Sequence, residues 1–461
     1  MKTYSKELPI YCKTDIVVCG GGTAGSFAAI SAAQRGKNVL LIEQFGSLGG
    51  SATNALVTPF MKVHIEGEPQ CSYIAEVIKK RLFDINGAAG NRGEKFDPIL
   101  LKIVLEELCL EAGVNILYYT YICDVIKDGS TINSVVIANK SGIQLVESDI
   151  FIDATGDGDV STYANAGYLK GNPATGKTQP ISLRYTVGGI DRVAFSEFIK
   201  NEIERTGNDG AVIFDPPEET YGAVVSSYGF NWTLNDVFMK AKENGDLLEE
   251  DTLYWQAFSL SNRPDSMTFN NPEFFDEVDG TNPEHLTKTQ IEGKKRIYRQ
   301  LCFYKKYLKG FEKSYISEIA SMVGIRETRH ILTEYVLTNE DVLSRKKFDD
   351  HFSQCNYPID VHGKTLTYVS NARPINDGKP FYEIPYKSLV VKDLDNLFVV
   401  GRCLGADFFA QSSLRIQPPV RSSGEAAGIA AVIAINENKL PREINGKFVR
   451  EEMIKSGAKY Y

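Results

Sequence analysis

Asp15-Ile-Val-Val-Cys19-Gly20-Gly-Gly22-Thr23-Ala24-Gly25, with the small-residue run to Arg35 and then Asn38-Val-Leu-Leu-Ile42-Glu43, decides the fold of this chain. Asp15 to Cys19 is a short apolar run and reads as a buried strand. Gly20, Gly22 and Gly25 spell G-x-G-x-x-G. Ala24 to Arg35 reads as a helix, and Asn38 to Ile42 as a second buried strand closing on Glu43. Each piece has a task in holding a dinucleotide. Gly20 permits a tight turn, and Gly22, without a Cβ, lets the backbone approach a pyrophosphate. Gly25 lets helix and strand pack closely. The helix start, at Thr23 and Ala24, offers unpaired N–H groups and partial positive charge to phosphates. The Glu43 carboxylate can accept hydrogen bonds from ribose hydroxyls, and its charge disfavours a 2′-phosphate. The alternative is a Gly-rich turn with no ligand; strand, helix, strand and acid in register favour the dinucleotide site.

After Glu43 and Gln44 the chain reads Phe45-Gly-Ser-Leu-Gly49-Gly50-Ser51-Ala-Thr53. A nicotinamide dehydrogenase continues into an ordinary helix here. A second Gly-rich loop suggests a longer cofactor that reaches past the pyrophosphate to a flavin. The chain resembles the FAD-dependent oxidoreductases built like glutathione reductase and fumarate reductase flavoprotein subunits. Three further stretches carry the likeness. Asp149-Ile-Phe-Ile-Asp-Ala154-Thr155-Gly156 is an apolar strand whose end, in such flavoproteins, packs against the first Gly-rich turn. Val323-Gly-Ile-Arg326-Glu-Thr-Arg329-His-Ile331 is similar to a G-[IV]-R-E-[ST]-R signature of one branch. Asn396-Leu-Phe-Val-Val-Gly401-Arg402, then Leu414-Arg415-Ile-Gln417-Pro-Pro and a small-residue helix from Ser422 through Gly424 to Ala434, read as a strand and helix returning to the first domain. In the family that helix aims its N-terminus at the negative charge of reduced flavin. The likeness also puts the backbone at Ile122 and Cys123 on the adenine. Gln417-Pro418-Pro419 departs from the commonest pattern, and no histidine in this region offers a covalent anchor, so non-covalent FAD is expected.

The 461-residue length allows two to three domain-sized units. A net charge of −8 and scattered basic residues give no support for a nucleic-acid partner. The N-terminus lacks an apolar signal-peptide core, and no run approaches the ~18 apolar residues of a membrane span. Eight scattered cysteines without C-x-x-C fit reduced thiols in a cytoplasmic protein and argue against iron–sulfur or dithiol chemistry. Cys19 is expected in the core.

Further along, Ser72–Leu82 and Asp97–Glu111 read as helices, the second with Asp97 as N-cap and Pro98 in its first turn. The loop between them, Asp84 to Lys95, is expected to be exposed. Val114–Tyr119 is expected as a third buried strand. Thr131–Asn139 and Gly142–Glu147 form a meander separate from the strand that begins at Asp149. Asp157 and Asp159 read as caps of a helix over Val160–Ala166. Gly171-Asn-Pro-Ala-Thr-Gly-Lys-Thr178 fits the letters of a phosphate-binding P-loop but lacks the strand before it and the helix after it, so it reads as a loop. His64 reads as a surface or satisfied histidine, with a place facing a flavin as the alternative; His330 and His351 are single imidazoles, and His351 with Cys355 at i, i+4 has no further ligands, so no metal is expected.

The reading is an α/β fold: a discontinuous Rossmann-like FAD domain over 1–170 and 381–461, with an α+β substrate domain inserted at 171–380. The expected function is hydride transfer between flavin N5 and a small organic substrate. Arg326, Arg329, Arg402 and Arg415 are the candidate catalytic groups. A structural ion pair through Glu327 is the competing account of the first two. A flavin carrier without turnover, serving assembly or RNA modification, and a nicotinamide-only dehydrogenase are the alternative functions. The oligomeric state cannot be read from these residues.

Overall fold

The opening strand is longer than its apolar stretch, Ile10–Cys19, because its first half has its own partner. The computed structural model describes residues 2, 5–90, 93–209, 212–215, 220–225, 232–275, 278–363 and 380–461. Asn115–Leu117, Val39–Ile42, Ile10–Cys19, Gly142–Asp153 and Leu397–Val399 lie side by side in that order, all parallel. This is the doubly wound order in which a ligand site forms beyond the strands' carboxyl ends. Gly142–Asp153 is one continuous strand and not two. Its first half pairs antiparallel with Thr131–Asn139 and its second half parallel with Leu397–Val399. A change of partner, invisible in the pattern, is why the sequence looked broken at Ser148. Asn115–Leu117 is shorter and less buried than expected because it is the sheet's edge.

The helix Thr23–Ala33 is buried on nearly every side. It packs on the sheet and against the return helix, which runs Gln417–Glu437 and not from Ser422. Pro418 and Pro419 do not delay that helix, since first-turn N–H groups have no intrahelical acceptor to lose. Gly424 lies where the two helices cross; a Cβ there would come 2.1 Å from Ala24 O. Tyr73–Asp84 and Pro98–Glu111 form with Ser72 and Asp97 as side-chain caps. The segment between them is not wholly exposed: Ala88–Ala89 pairs with Lys95–Phe96, and Phe96 is buried.

A second sheet is antiparallel throughout, in the order Val212–Asp215, Thr220–Val225, Gln256–Leu260, Arg263–Phe269, Tyr185–Gly188, Tyr315–Ile319. The long helix Pro283–Tyr307 joins its core, where Tyr185, Trp255, Phe269 and Tyr304 are fully buried. Prolines 216, 217 and 264 suggest loops from the sequence; Pro264 instead falls inside the strand Arg263–Phe269, and Pro216-Pro217 lie outside the described residues. Leu337, Val342, Phe352 and Ile359, from the stretch read as inserted, pack in the same core as Phe27 and Ala427.

Candidate functional site

One cavity of about 1920 Å³ runs from the Gly-rich turn to the second sheet. Ligand pockets are usually ~300–1,000 Å³, so this one has room for a dinucleotide and a second molecule. At its first end, Gly20 sits at φ +104°, and a Cβ there would meet Ala154 O at 2.5 Å. A Cβ on Gly25 would strike Gly20 O at 1.8 Å, so Gly25 serves helix–turn packing and does not line the cavity. Gly22 differs: a Cβ there would find nothing closer than Gly50 Cα at 4.0 Å, and the residue lines the cavity. The room beside it is what an incoming phosphate needs. Gly22 is the N-cap of the first helix and makes no side-chain cap. The first-turn N–H groups of Thr23 and Ala24, both lining the cavity, are therefore available to an anion.

The second Gly-rich loop docks on the first. Gly49 N donates to Gly21 O at 2.9 Å, and Thr23 Oγ1 donates to Gly49 O at 3.1 Å. Glu43 locks both loops: Oε2 accepts from Gly21 N at 2.7 Å, and Oε1 from Phe45 N at 2.8 Å. Burial raises the Glu43 carboxyl above its ordinary value, and the backbone donors oppose that shift. Each oxygen retains a lone pair for a ribose hydroxyl. Glu43, Gln44, Gly50 and Ser51 line the cavity; Gly49 lies behind Gly50.

Thr120, Tyr121 and Ile122 line the wall and Cys123 does not; the Cys123 thiol donates to Val136 O. Ala154, Thr155, Gly156, Gly401, Arg402 and Gln417 line the middle. Ser422 and Gly424 are interior to the return helix, Ser422 bonding to Pro418 O, and neither reaches the cavity. The helix starts more than a turn before Ser422, which carries both positions past the cavity wall. The residues present fit a pyrophosphate-linked dinucleotide: open N–H donors, a glycine with space before it, and an acid at the end of the second strand.

The four expected arginines divide. Arg402 donates to Gly156 O at 3.0 Å, Ile325 O at 2.7 Å and Asp157 Oδ1 at 2.5 Å. Arg329 donates to Asp157 O at 2.7 Å and Asp159 Oδ1 at 2.8 Å. Asp157 and Asp159 are thus arginine partners and not helix caps; Gly158 is the N-cap of the short helix Asp159–Tyr163, and its first-turn N–H groups at Asp159 and Ser161 donate to Thr155 Oγ1 and Asp153 Oδ2. Arg326 and Arg329 share no helical face, because Arg329–Ile331 is a strand paired with Tyr168–Lys170. Nor does Glu327 pair with either arginine. It is fully buried and accepts from Gly171 N, Gln179 N and the His330 ring. The P-loop-like stretch is accordingly a turn tied to Glu327.

Arg326 pairs with Glu273 at 2.7 Å, and Arg415 donates to Asp360 O at 2.9 Å. Sequence reading missed their neighbours. Arg184 is buried in the cavity wall and donates through Nη1 to Leu56 O at 3.0 Å and Thr58 O at 3.1 Å. His362 sits between carboxylates, Nδ1 at 2.9 Å from Glu273 and Nε2 at 3.5 Å from Asp360. Burial works against the Asp360 charge, but His362, Arg415 and Arg326 hold its carboxyl well below the ordinary range. Tyr254 stands beside this group, its hydroxyl accepting from Asn270 at 2.7 Å. No local motif marks these residues; they meet only where the second sheet faces the return helix. Among the described residues no group of three or more His, Cys, Asp or Glu is placed to hold a metal ion. No helix of the described residues is long and apolar enough to cross a membrane.

A family model described as FAD dependent oxidoreductase matches residues 15–453. The chain is 30% identical over 200 residues to digeranylgeranylglycerophospholipid reductase 2 of Methanothermobacter thermautotrophicus, covering 39% of this chain and 48% of that one. It is 30% identical over 147 residues to thiamine thiazole synthase of Aeropyrum pernix, covering 31% of this chain and 49% of that one. The chain spans about half the length of these curated relatives. Among solved structures, a geranylgeranyl bacteriochlorophyll reductase-like protein from Thermoplasma acidophilum is similar at a TM-score of 0.44 and 14% identity, over 96% of this chain and 83% of that one.

Proposed function

The chain belongs to the FAD dependent oxidoreductase family, and from that premise we propose that it exchanges a hydride between flavin N5 of non-covalent FAD and a small organic substrate. The observation that carries the reading is the single cavity joining the Gly20–Gly22 cradle to the buried arginines of the second sheet. When bound, FAD supplies the two-electron chemistry. The chain's own residues do the rest. Thr23 and Ala24 N–H groups and Glu43 hold the nucleotide end. Arg329 and Arg402 act as positioning residues that fix the Gly156–Asp157 turn. Arg326 and Arg415 face the substrate, and His362 holds or moves a proton at its ring nitrogens between Glu273 and Asp360.

The hydrophobic clusters support a division in which residues up to about 170 and from about 329 form the cofactor unit, with the substrate unit between. A cytoplasmic setting belongs to the same proposal and is supported by the eight free cysteines. The acidic balance supports a small molecule over nucleic acid as partner.

The purified protein is expected to be yellow, acid precipitation to release intact FAD, and one member of a metabolite panel to bleach the flavin anaerobically. A colourless folded protein would remove FAD from the site. A yellow protein bleached by dithionite but by no metabolite would turn the reading to a flavin carrier without turnover.

A further inference from the structure

Arg184 is a buried cation without an ion pair. Its guanidinium donates to two carbonyls, Leu56 O and Thr58 O, and among the described residues no carboxylate lies within ion-pair distance. Only 6% of the residue is exposed, and what is exposed faces the cavity. A buried charge without a counter-charge is costly, and evolution ordinarily pairs or removes it. Nearby, Arg415 also has an unused donor: its Nε is buried and finds no hydrogen-bond partner. Arg326 completes the set and is paired with Glu273. Three guanidiniums therefore stand against two carboxylates, Glu273 and Asp360. Burial pulls Arg184 down to about 9, with Tyr254 and Glu273 opposing the shift and Arg326 and Arg415 adding to it, which still leaves it charged at neutral pH.

Resting on the FAD reading above, we propose that the substrate carries a carboxylate, and that Arg184 and the Nε edge of Arg415 receive it. The planar fork of a guanidinium matches a carboxylate in two-point hydrogen bonding. One carboxylate matches the one guanidinium of the three that has no carboxylate partner. The residues come from separate places: Arg184 precedes a strand of the second sheet, and Arg415 leads into the return helix. The pocket therefore exists only when both parts of the fold are assembled.

The test uses the FAD-loaded protein at constant ionic strength. Acetate, propionate, succinate and benzoate are titrated against acetamide, propionamide, succinamide and benzamide, reading the visible flavin spectrum and, independently, titration heat. At least one carboxylate is expected to saturate with a spectral shift, with its amide at least tenfold weaker. Arg184→Gln should weaken that carboxylate at least tenfold, and Arg184→Lys should recover part of the loss. Equal binding of acid and amide would overturn the proposal without any variant. So would tighter binding of inorganic phosphate than of any carboxylate. Loss of FAD from Arg184→Gln with unchanged carboxylate binding would assign the arginine to the cofactor. A colourless wild-type protein would instead sink the FAD reading and this proposal with it; a yellow protein blind to carboxylates sinks the proposal alone.

Discussion

Glu43 shows how one side chain can serve structure and ligand together. From sequence it reads as a ribose acceptor. In the fold its two oxygens already hold Gly21 N and Phe45 N, so it also sets the spacing of the two Gly-rich loops. Glu43→Ala is therefore expected to do two things. FAD affinity should fall roughly a hundredfold, since charge-assisted hydrogen bonds contribute about 1.5–3 kcal/mol each. The apo-protein should also melt lower, because a buried N–H at Gly21 and a half-buried one at Phe45 lose their acceptor. Glu43→Gln keeps one acceptor oxygen and should lie between. Calorimetric melting of the apo-proteins and FAD fluorescence quenching measure the two effects; an unchanged FAD dissociation constant for Glu43→Ala would take this residue out of the site. Arg326 teaches the converse. Its motif is visible in the sequence, but its partner Glu273 lies far away in the chain, so the only acid the motif itself offers for an ion pair is Glu327.

At the level of elements, the cofactor half is held together by the contact between the first helix and the return helix. Both are rich in Ala, Gly and Ser, which lets their backbones approach closely. Gly424 and Gly428 face Ala24 O and Ala28 O, with a Cβ placed at 2.1 and 2.5 Å respectively. Gly424→Ala cannot be absorbed by a flexible side chain, since the nearest atom is backbone. It is expected to cost about 1–3 kcal/mol in overpacking, seen as a lower melting temperature. It should also weaken FAD binding, because Gln417 and Val420, at the start of the same helix, line the cavity. Gly113→Ala is the control: it is strained by a positive φ, which Gly424 does not have, and nothing surrounds its Cβ position. Its loss should be confined to stability, with FAD affinity unchanged. Equal FAD affinity in Gly424→Ala and wild type would show that the helix contact does not shape the site.

Across the whole molecule the cavity is bounded by residues far apart in the chain, from Gly20 to Gln417, and by both sheets. Arg263 of the second sheet forks onto Asp97, the cap of a helix in the cofactor half, at 2.7 and 2.8 Å. A ligand filling such a space binds the assembled fold and not the unfolded chain. Stripping FAD should therefore lower the melting temperature, and adding it back should restore it in a concentration-dependent way. At a thousandfold excess over the dissociation constant the gain is about 4.1 kcal/mol. Scanning calorimetry at two FAD concentrations checks this; a melting temperature independent of FAD would mean that the cofactor does not bridge the parts.

The sequence alone determined the strand–glycine turn–helix–strand unit, Glu43, the Ala154-Thr155-Gly156 strand end, and the return of Leu397–Val399 to the first sheet. These are legible because the restrictions are local: a turn that only glycine can make, buried strands with continuous apolar runs, an acid at a set spacing. Tertiary structure alone decided the rest. The continuity of Gly142–Asp153 depends on which strands flank it, and the early start of the return helix on orphan N–H groups that prolines do not need. The partner of Arg326 and the gathering of Arg184, Arg415, Asp360 and His362 depend on how two sheets meet. A charge's role is set by what lies beside it, and its neighbours here come from distant parts of the chain.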